Sequence, residues 1–130
     1  MSLADYRGEA VLLYFNEGVG CDACFLQAAA LEADPAFAGM ELTLLPIVMN
    51  QAGEVQSELD RFGVRTPYLS DLDGSVSRAY DTLGRGHHAN LSGHTFVLVG
   101  PDGQVRWRGD YPSMWVEPSE LVGSIDGLID

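Results

Sequence analysis

The chain has 130 residues, 46% of them hydrophobic, and sets seven basic side chains, all arginine, against 19 carboxylates for a net charge of −12. That length fits one compact unit spanning residues 1–130, and the apolar share is enough to fill a core, which excludes a disordered polyanion. The charge excludes a general nucleic-acid binder, which needs a basic face to displace counterions from phosphate. No apolar run reaches the ~20 residues of a membrane-spanning helix.

Residues 10–15 (Ala-Val-Leu-Leu-Tyr-Phe) form a continuous apolar run rich in strand formers, as suits a central strand buried on both faces. Tyr14 and Phe15 read as core. Gly18 and Gly20 end the run and lead into Cys21-Asp22-Ala23-Cys24. Residues 21–32 are strong helix formers, and Asp34-Pro35 closes that segment. A second strand is predicted over residues 41–49, made imperfect or bulged by Pro46. Asn50 is the predicted N-cap of the next helix, whose Val55, Leu59 and Phe62 recur at i, i+4 and i+7 before Gly63.

A short extended piece over residues 67–71 precedes a small helix with Val76, Ala79, Tyr80 and Leu83 on one stripe. Residues 84–93 read as a loop holding His87, His88 and Asn90. Residues 95–99 and 105–108 flank Pro101-Asp102-Gly103, and Asp-Gly between two strand-like runs predicts a hairpin. Trp107 reads as a strand aromatic between exposed charges. Pro118 suits the first turn of a last helix, whose Leu121, Val122, Ile125, Leu128 and Ile129 can face the core. The order β-α-β-α, a small insertion, then β-β-α gives an α/β fold, with a mixed sheet of about four strands and helices on both faces. It is the core order of the thioredoxin fold.

Two cysteines are too few to staple a miniprotein, but their CxxC spacing at a helix start can close a small disulfide. The first thiol lies where unpaired N–H groups and the helix dipole favour an anion. A thiolate there attacks disulfides, and the second cysteine releases the mixed disulfide. The charge of Asp22 opposes the thiolate, so the pair is expected to be less acidic and more reducing than one with neutral intervening residues. Zinc would need two further ligands; there is no second CxxC, and His87, His88 and His94 lie more than sixty residues away. Two inert buried thiols are the other reading, but the placement after a buried strand and a glycine loop favours redox chemistry without metal or organic cofactor.

The chain resembles the redoxin branch of the thioredoxin superfamily, the alkyl hydroperoxide reductase/thiol-specific antioxidant or peroxiredoxin-like proteins and the related thiol–disulfide oxidoreductases. The resemblance rests on residues 2–8, on residues 11–15 with the cysteines after them, and on residues 66–74 (Thr-Pro-Tyr-Leu-Ser-Asp-Leu-Asp-Gly) and 93–103 (Gly-His-Thr-Phe-Val-Leu-Val-Gly-Pro-Asp-Gly). It implies that Cys24 matches a peroxidatic cysteine, with Cys21 in the place of the threonine of a Thr-x-x-Cys element. Gly93 stands where peroxiredoxins carry an arginine and the disulfide oxidoreductases a cis-proline.

Two mechanisms follow from the resemblance. Either Cys21 attacks a protein disulfide and Cys24 resolves it, or Cys24 (less readily Cys21) attacks a hydroperoxide and the other thiol condenses with the sulfenic acid. Both imply an external thiol reductant. A catalytically silent binding module is the non-enzyme alternative.

His94 is a candidate proton relay or hydrogen-bond donor, against the plainer reading of a polar residue at a strand start. Glu17 is a candidate relay to the resolving thiol, against a solvated loop carboxylate. No basic-then-apolar leader precedes the first strand. The compartment stays open: cytoplasmic if the chain begins at its native end, extracytoplasmic and membrane-anchored if a segment has been removed. The oligomeric state is equally open.

Overall fold

The structure, a computed structural model, describes residue 6, residues 8–84 and residues 91–129. The elements run β1 (Val11–Phe15), α1 (Asp22–Ala33), α2 (Pro35–Ala38), β2 (Thr43–Val48), α3 (Ala52–Phe62), β3 (Leu69–Ser70), α4 (Ser75–Ala79), β4 (Thr95–Val99), β5 (Val105–Asp110) and α5 (Pro118–Ile125). They build one mixed sheet in the order β3-β2-β1-β4-β5. The parallel pairs are β1–β2 and β2–β3; β4 runs antiparallel to both β1 and β5. Among the described residues the sheet therefore has five strands, not about four, because the extended piece near Pro67 adds the two-residue β3 to the edge.

β1 lies in the middle and is buried along its whole length, which explains its unbroken apolar run. Leu12 and Tyr14 face one side with Phe25, Ala28 and Leu31 of α1, Val55 and Leu59 of α3, and Leu121 and Ile125 of α5. Val11, Leu13 and Phe15 face the other, against Val76 of α4 and Tyr80. Each such large side chain contributes about 1.5–3 kcal/mol through burial. Helices cover both faces, but unequally, with α1, α2, α3 and α5 on the first side and the short α4 on the second.

Pro46 causes no bulge: the β1–β2 register continues through Tyr14↔Pro46. Thr43 and Ile47 direct their backbone groups to β1, so the missing N–H of Pro46 points to the other side of β2, where β3 begins only opposite Ile47. The irregularity lies instead between Leu98 and Val99, where β4 meets β5. The hairpin strand runs on to Asp110, two residues past the predicted end.

Asp34 both ends one helix and starts another. Its N–H donates to Leu31 O, and its Oδ1 accepts the Phe37 N–H at 3.0 Å, capping the single turn α2 that sequence reading missed. Asn50 is not the cap of α3; Gln51 holds that position without a side-chain bond, and Gly63 at φ +69° closes the C-terminus. α4 ends at Ala79, so Leu83 leaves the predicted stripe and pairs with Ser92 in an isolated bridge. α5 ends at Ile125, leaving Leu128 exposed rather than in the core. His87, His88 and Asn90 lie outside the described residues. Among the described residues no helix is long and apolar enough to cross a membrane.

Candidate active site

The chain leaves β1 at the centre of the sheet and must turn sharply into α1. Asn16 Nδ2 donates back to Tyr14 O, and Asn16 Oδ1 accepts the Gly18 N–H at 2.9 Å. Asn50, at the end of β2, accepts the Val19 N–H at 2.9 Å, so the predicted helix cap serves the cysteine loop instead. Gly18 is held at φ +75°, and the Cys21 N–H donates to its carbonyl at 2.9 Å. Cys21 then becomes the N-cap of α1: its sulfur accepts the Cys24 N–H at 3.2 Å.

Cys21 and Cys24 are joined by a disulfide with Cα atoms 5.3 Å apart. The two sulfurs sit in different surroundings. Cys21 is partly exposed at the helix tip, whereas Cys24 is 0% exposed, one turn deeper.

His94 reaches this buried side from the residue before β4. It is 1% exposed, so this polar residue at the strand start points into the protein rather than to solvent. Its carbonyl accepts the Tyr111 N–H, while the neighbouring Gly93, also buried, donates its N–H to Thr82 O. The imidazole Nδ1 is 3.9 Å from Cys24 Sγ and 3.4 Å from the Tyr14 hydroxyl, and Nε2 is 3.0 Å from Gln27 Oε1. Tyr14 and Phe96 close round the ring edge-on. Burial pushes the imidazole down to about 4, so it is neutral at pH 7. Burial first, and then Tyr68, pushes the Tyr14 hydroxyl well above its ordinary range, so it keeps its proton and donates it to Cys24 O at 2.8 Å.

The other sequence candidates are placed less centrally. Glu17 is 8% exposed and interacts with its surroundings, so it is not the solvated loop carboxylate expected. Asp22 points outward from the first turn of α1 and pairs with Arg61 of α3 at 3.5 Å. That exposed pair offsets part of the repulsion between Asp22 and a thiolate. Tyr14, read as core only, and Gln27, read only as a helix former, both belong to the site. Their partners lie 80 and 67 residues away, at His94, so no local pattern announces them. Among the described residues, no group of three or more His, Cys, Asp or Glu is arranged to hold a metal ion.

The family model for the AhpC/TSA family matches residues 1–108, more than half of the sequence, including the cysteine pair and His94. The chain belongs to the AhpC/TSA family. This redoxin is similar in fold to a reduced 2-Cys peroxiredoxin of Plasmodium vivax (TM-score 0.82, 23% identity, 97% of this chain and 81% of that one). It is also similar to a secreted Mycobacterium tuberculosis disulfide oxidoreductase homologous to E. coli DsbE (TM-score 0.71, 23% identity, 96% of this chain and 86% of that one). A third similar structure is AhpC of Enterococcus faecalis, with TM-score 0.81 and 16% identity over 97% of this chain and 78% of that one. No curated protein matches the chain. The thioredoxin-like fold expected from the element order is therefore the fold of this redoxin.

Proposed function

We propose that this redoxin is a thiol–disulfide oxidoreductase in which Cys21 attacks an external disulfide and Cys24 resolves the product. The observation that carries this reading is the asymmetry of the pair: a partly exposed cysteine at a helix N-cap beside a fully buried one. In the reduced protein a Cys21 thiolate keeps the Cys24 N–H and the positive end of α1, both of which favour the anion. A bulky disulfide can meet Cys21 from solvent. It cannot meet Cys24 without displacing the loop. The substrate is an accessible disulfide, and an external thiol returns the pair to its reduced form.

Replacing the resolving thiol tests the assignment. Reduced Cys24→Ser protein is expected to accumulate a stable mixed disulfide through Cys21 when mixed with a disulfide-bonded protein, and Cys21→Ser is expected to form none. Stopped-flow oxidation of the wild-type dithiol should also be faster with a small disulfide than with hydrogen peroxide at equal concentration. Trapping through Cys24, or faster reaction with peroxide together with a sulfenic acid on Cys24 of Cys21→Ser, would replace this reading with the peroxidatic one.

A further inference from the structure

The buried polar cluster under Cys24 has a defined hydrogen-bond polarity. Gln27 is fully buried and makes two bonds to the backbone of Val116: Nε2 donates to its carbonyl at 2.9 Å, and Oε1 accepts its N–H at 2.8 Å. Turning the amide over would set N–H against N–H and oxygen against oxygen, so Val116 fixes which way Gln27 points. Its Oε1 can only accept. His94 Nε2, 3.0 Å away, must therefore carry the ring proton of the neutral imidazole. The bare lone pair is then on Nδ1, the atom facing Cys24 Sγ at 3.9 Å. Tyr14 does not satisfy it, because its one hydroxyl proton goes to Cys24 O at 2.8 Å, the shorter of its two contacts.

We propose that His94 Nδ1 accepts the proton of the Cys24 thiol, and that Gln27, locked to Val116, is the positioning residue that keeps Nδ1 free to do so. This inference rests on the disulfide-reducing reading above. The Cys21 thiolate attacks R–S–S–R′, forming the Cys21–S–S–R bond and expelling R′–S⁻. The Cys24 S–H proton then passes to His94 Nδ1 as the Cys24 sulfur attacks Cys21 Sγ. The bond from Cys21 to R breaks, R–S⁻ leaves, and the imidazolium gives up its proton to the departing thiolate. Two electrons move from the dithiol to the substrate.

In the oxidised protein no thiolate faces the ring, and burial keeps its pKa at about 4. A thiolate on Cys24 would raise it by stabilising the imidazolium. Among the described residues, the titratable groups shown to contact the ring are that thiol from α1 and the Tyr14 hydroxyl from β1; Tyr111, after β5, donates its backbone N–H to the His94 carbonyl.

The neutral disulfide 4,4′-dithiodipyridine separates the steps, since reduced protein releases one thiopyridone on attack by Cys21 and a second on resolution by Cys24. In His94→Asn the ratio of second to first rate is expected to fall about a hundredfold near pH 7. Its second phase should then speed up as pH rises, because the buried thiol must lose its proton without help from the ring. Gln27→Leu should lower the ratio by a smaller factor, and Gln27→Glu, which keeps an acceptor for Nε2–H, should restore part of it. Nitrogen-15 NMR of wild-type His94 should show a protonated Nε2 and a bare Nδ1 in the oxidised protein, with a higher ring pKa after reduction.

An unchanged ratio and pH profile in His94→Asn, or a protonated Nδ1 in the oxidised protein, overturns the proposal. Failure of the underlying reading looks different: wild type would release no first thiopyridone, or Cys21→Ser would still release it. The tautomer measurement decides the His94 assignment independently of the folding of any variant.

Discussion

A histidine in water is half-protonated near pH 6.5; His94, enclosed by Tyr14, Phe96 and Gln27, is brought down to about 4 by burial. Between those values the unfolded chain binds a proton that the folded chain refuses. Stability is therefore present above pH 6.5, declines as pH falls through that window, and declines no further on this account below about 4. The shift corresponds to roughly 3 kcal/mol. In urea unfolding of the oxidised protein, the stability gap between wild type and His94→Asn should shrink by about that amount between pH 7 and pH 4, the carboxylates titrating equally in both. Parallel curves would show that His94 does not titrate in this way. The local sequence predicts none of this. His94 follows a glycine in a polar stretch, and its burial arises because β4 lies beside β1 under the start of α1, contacts made across 70 and 80 residues. The CxxC pair was legible because its chemistry is contained in four consecutive residues. Gln27 was not, because its fixed orientation comes from Val116, 89 residues further on.

At the scale of elements, the link from β1 to α1 carries the site, and it is built from two asparagines and a glycine. Gly18 needs its left-handed conformation, and a Cβ there would stand 2.1 Å from Asn50 Oδ1 and 3.1 Å from Val48 Cβ. Gly18→Ala is expected to cost about 2 kcal/mol, part from the backbone and part from loss of the Asn50–Val19 bond. Asn50→Ala alone should cost about 1 kcal/mol by leaving the Val19 N–H without that acceptor. Because the two changes share one contact, the double variant should lose about 1 kcal/mol less than their sum in urea-denaturation midpoints. Strict additivity would show that Asn50 does not restrain the glycine. Here the sequence was informative where pattern and fold agree: β1, the hairpin and α3 follow from apolar runs, an Asp-Gly turn and helical spacing. It was misleading at Asn50, whose suitability as a cap says nothing about a competing backbone N–H across the sheet. It was silent on α2, which is too short for any period to show, and it gave the extended piece over residues 67–71 without showing that this pairs with β2 as β3.

For the molecule as a whole, the net charge of −12 sets which disulfides approach Cys21 easily. Asp22 adds to that field at the mouth of the site, although Arg61 stands 3.5 Å from it. Charges of this kind act over a Debye length, roughly 10 Å at 0.1 M salt and about 30 Å at 0.01 M. Reduced protein should thus be oxidised faster by the dicationic disulfide cystamine than by anionic glutathione disulfide at low salt, by on the order of tenfold or more. Adding salt should slow the first reaction, speed the second and bring the two rates together. A neutral disulfide of similar size gives the reference, since its rate should vary little. The fold makes the expectation specific to Cys21: the buried Cys24 meets its partner inside the protein, where added ions do not reach. With dithiodipyridine as oxidant, the resolution step should therefore be nearly independent of salt. A salt response confined to that step, with attack at Cys21 unaffected by either the sign of the disulfide or the ionic strength, would show that the acidic surface plays no part in substrate approach.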